Sequence, residues 1–197
     1  MSRAVFVALV LAVALQRLIE LAVSRRNVRA LLRRGAREAR NDLPAMALVH
    51  GAWLVAAPLE VLVLARPLVA ALAVPAAALF LAGQALRFSA IWTLGPRWTA
   101  RVVTVPGEAP VARGPYRFLR HPNYLGIILE IVSLPLIHGA WITAVLASAA
   151  NGALLVRRIR IEERALAADQ DYEAALGARP RLVPLPGRGT RAINPRG

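Results

Sequence analysis

The chain has 197 residues, 57% hydrophobic and 18% charged, and its 25 basic side chains against 11 acidic ones give a formal net charge of +14. Every basic residue is arginine and cysteine is absent. This hydrophobicity excludes disorder, the missing cysteine excludes a disulfide-stapled domain, and the low charged fraction excludes a soluble nucleic-acid binder, so a small multipass membrane protein remains.

A spanning helix needs about 20 mostly apolar residues. Residues 4–23 are the first candidate, apolar through Leu15 and then carrying Gln16, Arg17 and Glu20. Ala12-Val13-Ala14 after a short basic start also fits a cleavable signal peptide. The apolar pattern continues through Leu18, Ile19, Leu21 and Val23, which favours a retained helix. Residues 43–65 follow, with Pro44 at the start, where a missing N–H costs little, and His50 and Glu60 inside. Pro67 breaks the chain, and residues 68–94 form a third candidate interrupted by Pro75, Gly83, Gln84 and Arg87. Residues 124–137, containing Glu130, and 140–156 are separated only by His138 and Gly139, which predicts a tight helical hairpin. Fourteen residues rise only about 21 Å, short of a core about 30 Å thick, so the fourth helix either thins the bilayer or starts before Tyr124.

The arginines set the direction. Seven lie in residues 24–42, five in 95–123 and nine from residue 157 onward. Five spans with the amino terminus outside and the carboxyl terminus in the cytoplasm put all three segments on the cytoplasmic side of the cell membrane. The expected fold is therefore all-α and polytopic, one membrane-embedded domain over residues 1–184 and a disordered tail over 185–197, rich in Pro, Gly and Arg. Trp53, Trp92, Trp98 and Trp141 suit interfacial anchoring. Glu60, His50 and His138 read as structural, and three scattered histidines without cysteine argue against a metal site. Membrane lipids are the expected partners of the basic segments, and nucleic acid is not one.

The loop between the third and fourth helices is more particular than a topology signal requires. It reads Gly114-Pro115-Tyr116-Arg117-Phe118-Leu119-Arg120-His121-Pro122-Asn123-Tyr124-Leu125-Gly126. Gly114-Pro115 is a turn signal, and Pro122 keeps His121 out of helical geometry while suiting a first helical turn. Arg117, Arg120 and His121 thus stand before a helix amino terminus, a ready site for a carboxylate or phosphate. After the fifth helix come Arg157, Arg158, Arg160, Glu162, Glu163 and Arg164. Their spacing allows helix ion pairs Arg158–Glu162 and Arg160–Glu163. Alternatively, one glutamate faces the Arg120–His121 loop.

These residues, with Leu166 and Tyr172, resemble the isoprenylcysteine carboxyl methyltransferase family over residues 83–184, the motif core. The Arg-His-Pro-x-Tyr-x-Gly run with a downstream Glu-Glu is shared more loosely with other membrane methyltransferases. The resemblance implies S-adenosyl-L-methionine as cofactor, held in a cytoplasmic pocket without a Rossmann domain. It places Tyr116, His121, Pro122, Tyr124, Gly126, Glu162 and Glu163 at the cofactor, with Gly83 and Arg87 supporting the pocket. Arg120 is expected to orient and neutralise the acceptor, with His121 or Glu163 as a base only for a phenol. Arg87, Arg117 and Glu130 are the candidates for contact with the acceptor, Glu130 also reading as a helix-to-helix bond. Where the family shows Phe-Gly before its tyrosine, this chain has Asp169-Gln170-Asp171. The run Gln16-Arg17-Leu18-Ile19-Glu20 into Ser24-Arg25-Arg26-Asn27 resembles a bacterial branch that methylates polyketide lipids such as alkylpyrones and alkylresorcinols. The implied acceptor is a lipophilic small molecule or lipidated substrate methylated on a carboxyl or acidic hydroxyl. Two other classes compete: an NADPH-dependent reductase of a sterol-like lipid, and a non-enzymatic membrane adaptor.

Overall fold

The computed structural model describes residues 1–39, 42–169 and 171–182. Its helices are α1 (Arg3–Leu32), α2 (Leu43–Val63), α3 (Ala70–Leu94), α4 (Pro122–Leu136), α5 (Trp141–Asp169) and the short α6 (Tyr172–Leu176). All five predicted hydrophobic segments are helical. Two run further than their apolar stretches. α1 continues through the arginines to Leu32 and α5 through the charged cluster to Asp169, because Arg and Glu favour helix and no Pro or Gly interrupts either extension. The expected tail over 185–197 lies outside the described residues.

Among the described residues four helices are long and apolar enough to cross a membrane: α1, α2, α3 and α5. α4 has 15 residues, about 22 Å, and falls short even with its start at Pro122 rather than Tyr124. It nevertheless runs antiparallel to α5 through the turn at His138–Ala140, the expected hairpin. Gly139 there takes φ +70°, and a Cβ on it would lie 3.2 Å from the Pro67 carbonyl oxygen.

The three arginine-rich segments meet at one end of the bundle. Strand β1 (Arg37–Glu38) pairs antiparallel with β2 (Val103–Thr104), Arg37 opposite Thr104. Arg37 bonds Asp169 at 3.1 Å, Arg101 bonds Glu38 at 3.2 Å, and Arg34 pairs with Glu108. At the opposite end, Glu60 accepts bonds from the Ile142 and Thr143 amides, at 3.2 and 2.7 Å, and from the Thr143 hydroxyl, at 2.8 Å. Those amides are orphan donors at the start of α5, so an intramembrane carboxylate acts as a helix cap. Arg66 balances it at 2.9 Å and lies over the Trp141 ring. This is the structural role expected of Glu60.

The core is built from Phe6, Val10, Trp53, Val61, Phe80, Ile131 and Leu134, drawn from four helices. Large apolar side chains such as Leu11, Leu81 and Val145 face outward, as a lipid-solvated bundle requires. The tryptophan expectation needs correction. Trp92 is 89% exposed and Trp141 is also outward, but Trp53 is 2% exposed and Trp98 is equally interior. Trp53 lies on the inner face of α2, and Trp98 is drawn under its loop by α1, so neither is an interfacial anchor.

α3 and α4 approach most closely at facing glycines. A Cβ on Gly126 would lie 2.9 Å from the Gly83 carbonyl oxygen and 3.0 Å from the Arg87 Cβ. A Cβ on Gly83 would meet the Leu129 Cβ at 3.0 Å. These contacts are with backbone or first side-chain atoms, which cannot swing aside. Gly126→Ala is therefore expected to destabilise the bundle by about 1–3 kcal/mol, the usual cost of overpacking, although alanine is the better helix former. Denaturant titration of the detergent-solubilised protein measures it.

Candidate active site at the arginine-rich end

The site is assembled by a loop, a helix start and a returning tail. After the 3-10 turn Gly95–Arg97, residues 98–111 fold back over the bundle end. α1 pins them: Asn27 Nδ2 donates to the Trp98 carbonyl at 2.8 Å, and Ser24 Oγ accepts from the Ala100 amide at 2.8 Å. Arg158 Nη2 holds the Ala100 carbonyl at 2.6 Å from α5. Ser24 and Asn27 are both buried and, three residues apart, share a helix face. The sequence reading gave them no role in the site. Their signal was a pair of small polar residues at helical spacing inside an arginine run.

A second 3-10 turn, Gly114–Arg117, leads to His121, which stands at the N-cap of α4 with φ −128° and ψ 58°, outside helical geometry as Pro122 demands. The tail beyond α6 runs alongside. The Arg120 amide donates to the Pro180 carbonyl and the His121 amide to the Arg181 carbonyl, each at 3.0 Å. The Arg120 guanidinium holds the Arg179 carbonyl at 2.9 Å and the Gly177 carbonyl. Arg120 is thus the clamp that seats the tail and α6.

A cavity of about 330 Å³ lies beneath these elements. Tyr116, His121, Tyr124, Arg158, Glu162 and Tyr172 give it a polar wall. Leu18 and Leu21 of α1 and Met46 and Leu54 of α2 give it an apolar one. Leu18 of α1 and Ala47 and Gly51 of α2 line the cavity and are exposed.

The two glutamates divide the work. Tyr124 Oη donates to Glu162 and accepts from Arg158 Nε at 2.8 Å. Glu163 instead faces the loop: its Oε1 is 3.2 Å from His121 Nε2 and 3.5 Å from Arg120 Nη1, and Arg181 Nη2 meets its Oε2 at 2.7 Å. The alternative in which one glutamate turns to the Arg120–His121 loop is the arrangement formed. Arg158 is drawn to Tyr124 and Ala100 rather than along its own helix. The His121 and Tyr124 rings stack with centroids 5.3 Å apart and planes 19° apart. Burial, reinforced by the nearby Glu162 charge, pushes the phenols of Tyr116 and Tyr172 well above their usual range, so both are neutral.

Of the expected site residues, Tyr116, Arg120, His121, Tyr124, Glu162 and Arg87 line the cavity. Glu163 stands behind His121, Pro122 opens α4, and Gly126 lies in the α3–α4 contact. Glu130 is 0% exposed and pairs with Arg17 rather than lining the cavity. Arg117 is exposed, its guanidinium 4.3 Å over the Phe118 ring, and lies outside the cavity. Arg17, Glu20 and Arg87 join α1 to α3: Arg17 Nη1 bonds Glu20 at 2.9 Å, and Arg87 pairs with the same carboxylate. Gln16 and Gln84 exchange amide bonds of 3.0 and 3.1 Å beside them.

Residues 76–168 match the model of the isoprenylcysteine carboxyl methyltransferase (ICMT) family. The uncharacterized protein YpbQ of Bacillus subtilis (strain 168) is 35% identical over 158 residues, which cover 80% of this chain and 92% of that protein. The family match supports a membrane methyltransferase of the general kind. The chain is a member of the isoprenylcysteine carboxyl methyltransferase family.

Proposed function

We propose that this chain transfers a methyl group from S-adenosylmethionine to an acidic oxygen, carboxyl or hydroxyl, of a lipophilic acceptor at the cytoplasmic face of the cell membrane. The observation that carries the reading is one cavity with two chemistries: Glu162, Arg158 and three neutral tyrosines on one wall, and α1 and α2 aliphatic side chains on the other.

The polar wall fits the cofactor. Glu162 offers a carboxylate to a cation, Arg158 offers a guanidinium to a carboxylate, and the volume is at the lower end for a small-molecule site. When bound, S-adenosylmethionine supplies an electrophilic methyl on a positively charged sulfur. The protein's contribution is then positioning, because an anion and a cation merge into neutral products and a dry site does not oppose that change. Arg120 and Arg87 supply positive potential for the acceptor oxygen. The exposed cavity-lining residues of α1 and α2 give an alkyl chain a lateral route from the bilayer. The arginine-rich end faces the cytoplasm by the positive-inside rule.

The test is thermal unfolding of the purified protein in detergent with S-adenosylhomocysteine or NADPH. At a concentration of about 100 Kd, the homocysteine ligand is expected to stabilise by about 2.7 kcal/mol and NADPH by nothing measurable. Stabilisation by NADPH alone would replace this reading with the reductase, and stabilisation by neither with the adaptor.

A further inference from the structure

We infer that His121 is a general base acting on a hydroxyl acceptor of the phenol or enol class, and that Glu163 and Arg181 are positioning residues that set its tautomer. The inference rests on the methyl-transfer reading and narrows its acceptor.

The contacts of the imidazole place a proton on one of its two nitrogens. His121 Nε2 lies 3.2 Å from Glu163 Oε1. Arg181 holds that carboxylate as a fork, Nε reaching Oε1 at 2.9 Å and Oε2 at 3.1 Å, and Nη2 reaching Oε2 at 2.7 Å. A carboxylate gripped by guanidinium is ionised and can only accept. The hydrogen therefore sits on Nε2, and a neutral imidazole keeps its lone pair on Nδ1. Among the described residues Nδ1 has no hydrogen-bond partner, although His121 is 3% exposed and lines the cavity. The stacked Tyr124 ring fixes the imidazole plane, so Nδ1 is held in place.

The carboxylates beside the cavity are already engaged, and the cavity's other histidine, His50 of α2, meets Asn151 Oδ1 through Nε2 at 3.3 Å. Glu162 is committed to Tyr124, and Glu20 to Arg17 and Arg87. Tyr116 and Tyr172 hold their own protons. A carboxylate acceptor, with a pKa near 4, arrives ionised and needs no base, whereas a phenol, near 10, does. An imidazole that lines the cavity, held by the Glu163–Arg181 pair and with one nitrogen unbonded, serves the second case.

The step balances within the named groups. The acceptor O–H bond breaks and its proton goes to Nδ1. The electron pair left on oxygen forms the bond to the methyl carbon. The carbon–sulfur bond breaks with its pair staying on sulfur. The imidazolium so formed faces the Glu163 carboxylate, which stabilises it.

The test has two arms on the full-length protein in detergent. In the first, nitrogen-15 histidine spectra at pH 8 are assigned with His121→Gln, the chain having three histidines. Wild type is expected to show His121 protonated on Nε2 alone, and Glu163→Gln or Arg181→Gln a mixture of tautomers. In the second, methyl transfer is measured to 3-pentadecylphenol and to palmitic acid. His121→Gln is expected to lower phenol methylation by about 100-fold or more, within the usual range for a lost general base. Glu163→Gln is expected to lower kcat for the phenol about 10-fold, with S-adenosylhomocysteine affinity within about 2-fold of wild type. A proton on His121 Nδ1, equal loss with both acceptors, or a wild type that binds S-adenosylhomocysteine without methylating the phenol overturns the inference and leaves the methyltransferase reading standing. A wild type that does not bind S-adenosylhomocysteine overturns both.

Discussion

The Arg87→Leu variant is expected to lose about 3–5 kcal/mol of folding stability, the largest effect predicted for any single substitution in the bundle. Arg87 is buried on α3 and pairs with Glu20 of α1, donating from Nε at 3.3 Å and from Nη2. Leucine would fill most of the space but leave Glu20 with one guanidinium, Arg17, which also serves Glu130. Two carboxylates would then share one cation in a lipid-surrounded interior, where water cannot replace the lost donor. The double variant Arg87→Leu/Glu20→Leu removes both charges and leaves Arg17 matched with Glu130. It is expected to recover most of the loss, with a coupling energy of about 3 kcal/mol or more. Denaturant unfolding of the four members of the cycle measures this. Additive losses would show that the two side chains act independently. Because Arg87 also lines the cavity, the double variant further separates folding from function: restored stability with activity still absent assigns Arg87 to the acceptor as well.

Glu162→Gln is expected to weaken S-adenosylmethionine binding by about 10- to 100-fold, 1.4–2.7 kcal/mol, while changing S-adenosylhomocysteine binding by less than about 5-fold. Glutamine keeps the size and still accepts the Tyr124 hydroxyl, so the polar wall retains its shape. What it removes is the negative charge, and the two ligands differ by the sulfonium charge. A carboxylate at the edge of a dry cavity discriminates between them through that charge alone. Isothermal titration with each ligand decides it. Equal weakening of both would move Glu162 from the sulfonium to the ligand's ammonium group. No weakening would confine it to orienting Tyr124.

Much of this chemistry was legible along the chain because it is local. The hydrophobic segments, Pro67, and the turn at His138 and Gly139 mark helix ends in lipid, where every backbone amide must find an internal partner. Pro122 after His121 set the N-cap geometry, and Glu162-Glu163 marked the acidic face that returns to it. Less legible were the contacts that depend on where helices land. Periodicity allowed Arg158 to pair with Glu162, but Tyr124, arriving from α4, takes both. Arg120 looked free for an anion, and the carbonyls of the returning tail occupy it. Gly126, expected at the cofactor, packs closely on α3, where a Cβ would lie 2.9 Å from the Gly83 carbonyl oxygen. Trp98 looked interfacial and is buried, its backbone carbonyl held by Asn27 about seventy positions away.

The sequence by itself determined a lipid-solvated helical bundle, the grouping of its arginine-rich segments, and the loop and glutamate pair that come together at the cavity. Apolar runs, prolines and charge asymmetry act within a few residues and need no fold to be read. Only the tertiary structure decided which charges meet: Glu130 with Arg17 across the bundle, Glu163 with His121 and the tail's Arg181, and Glu162 with Tyr124 at the cavity. In a low-dielectric interior each buried charge must find a partner, and that partner is set by how helices pack rather than by its place in the chain.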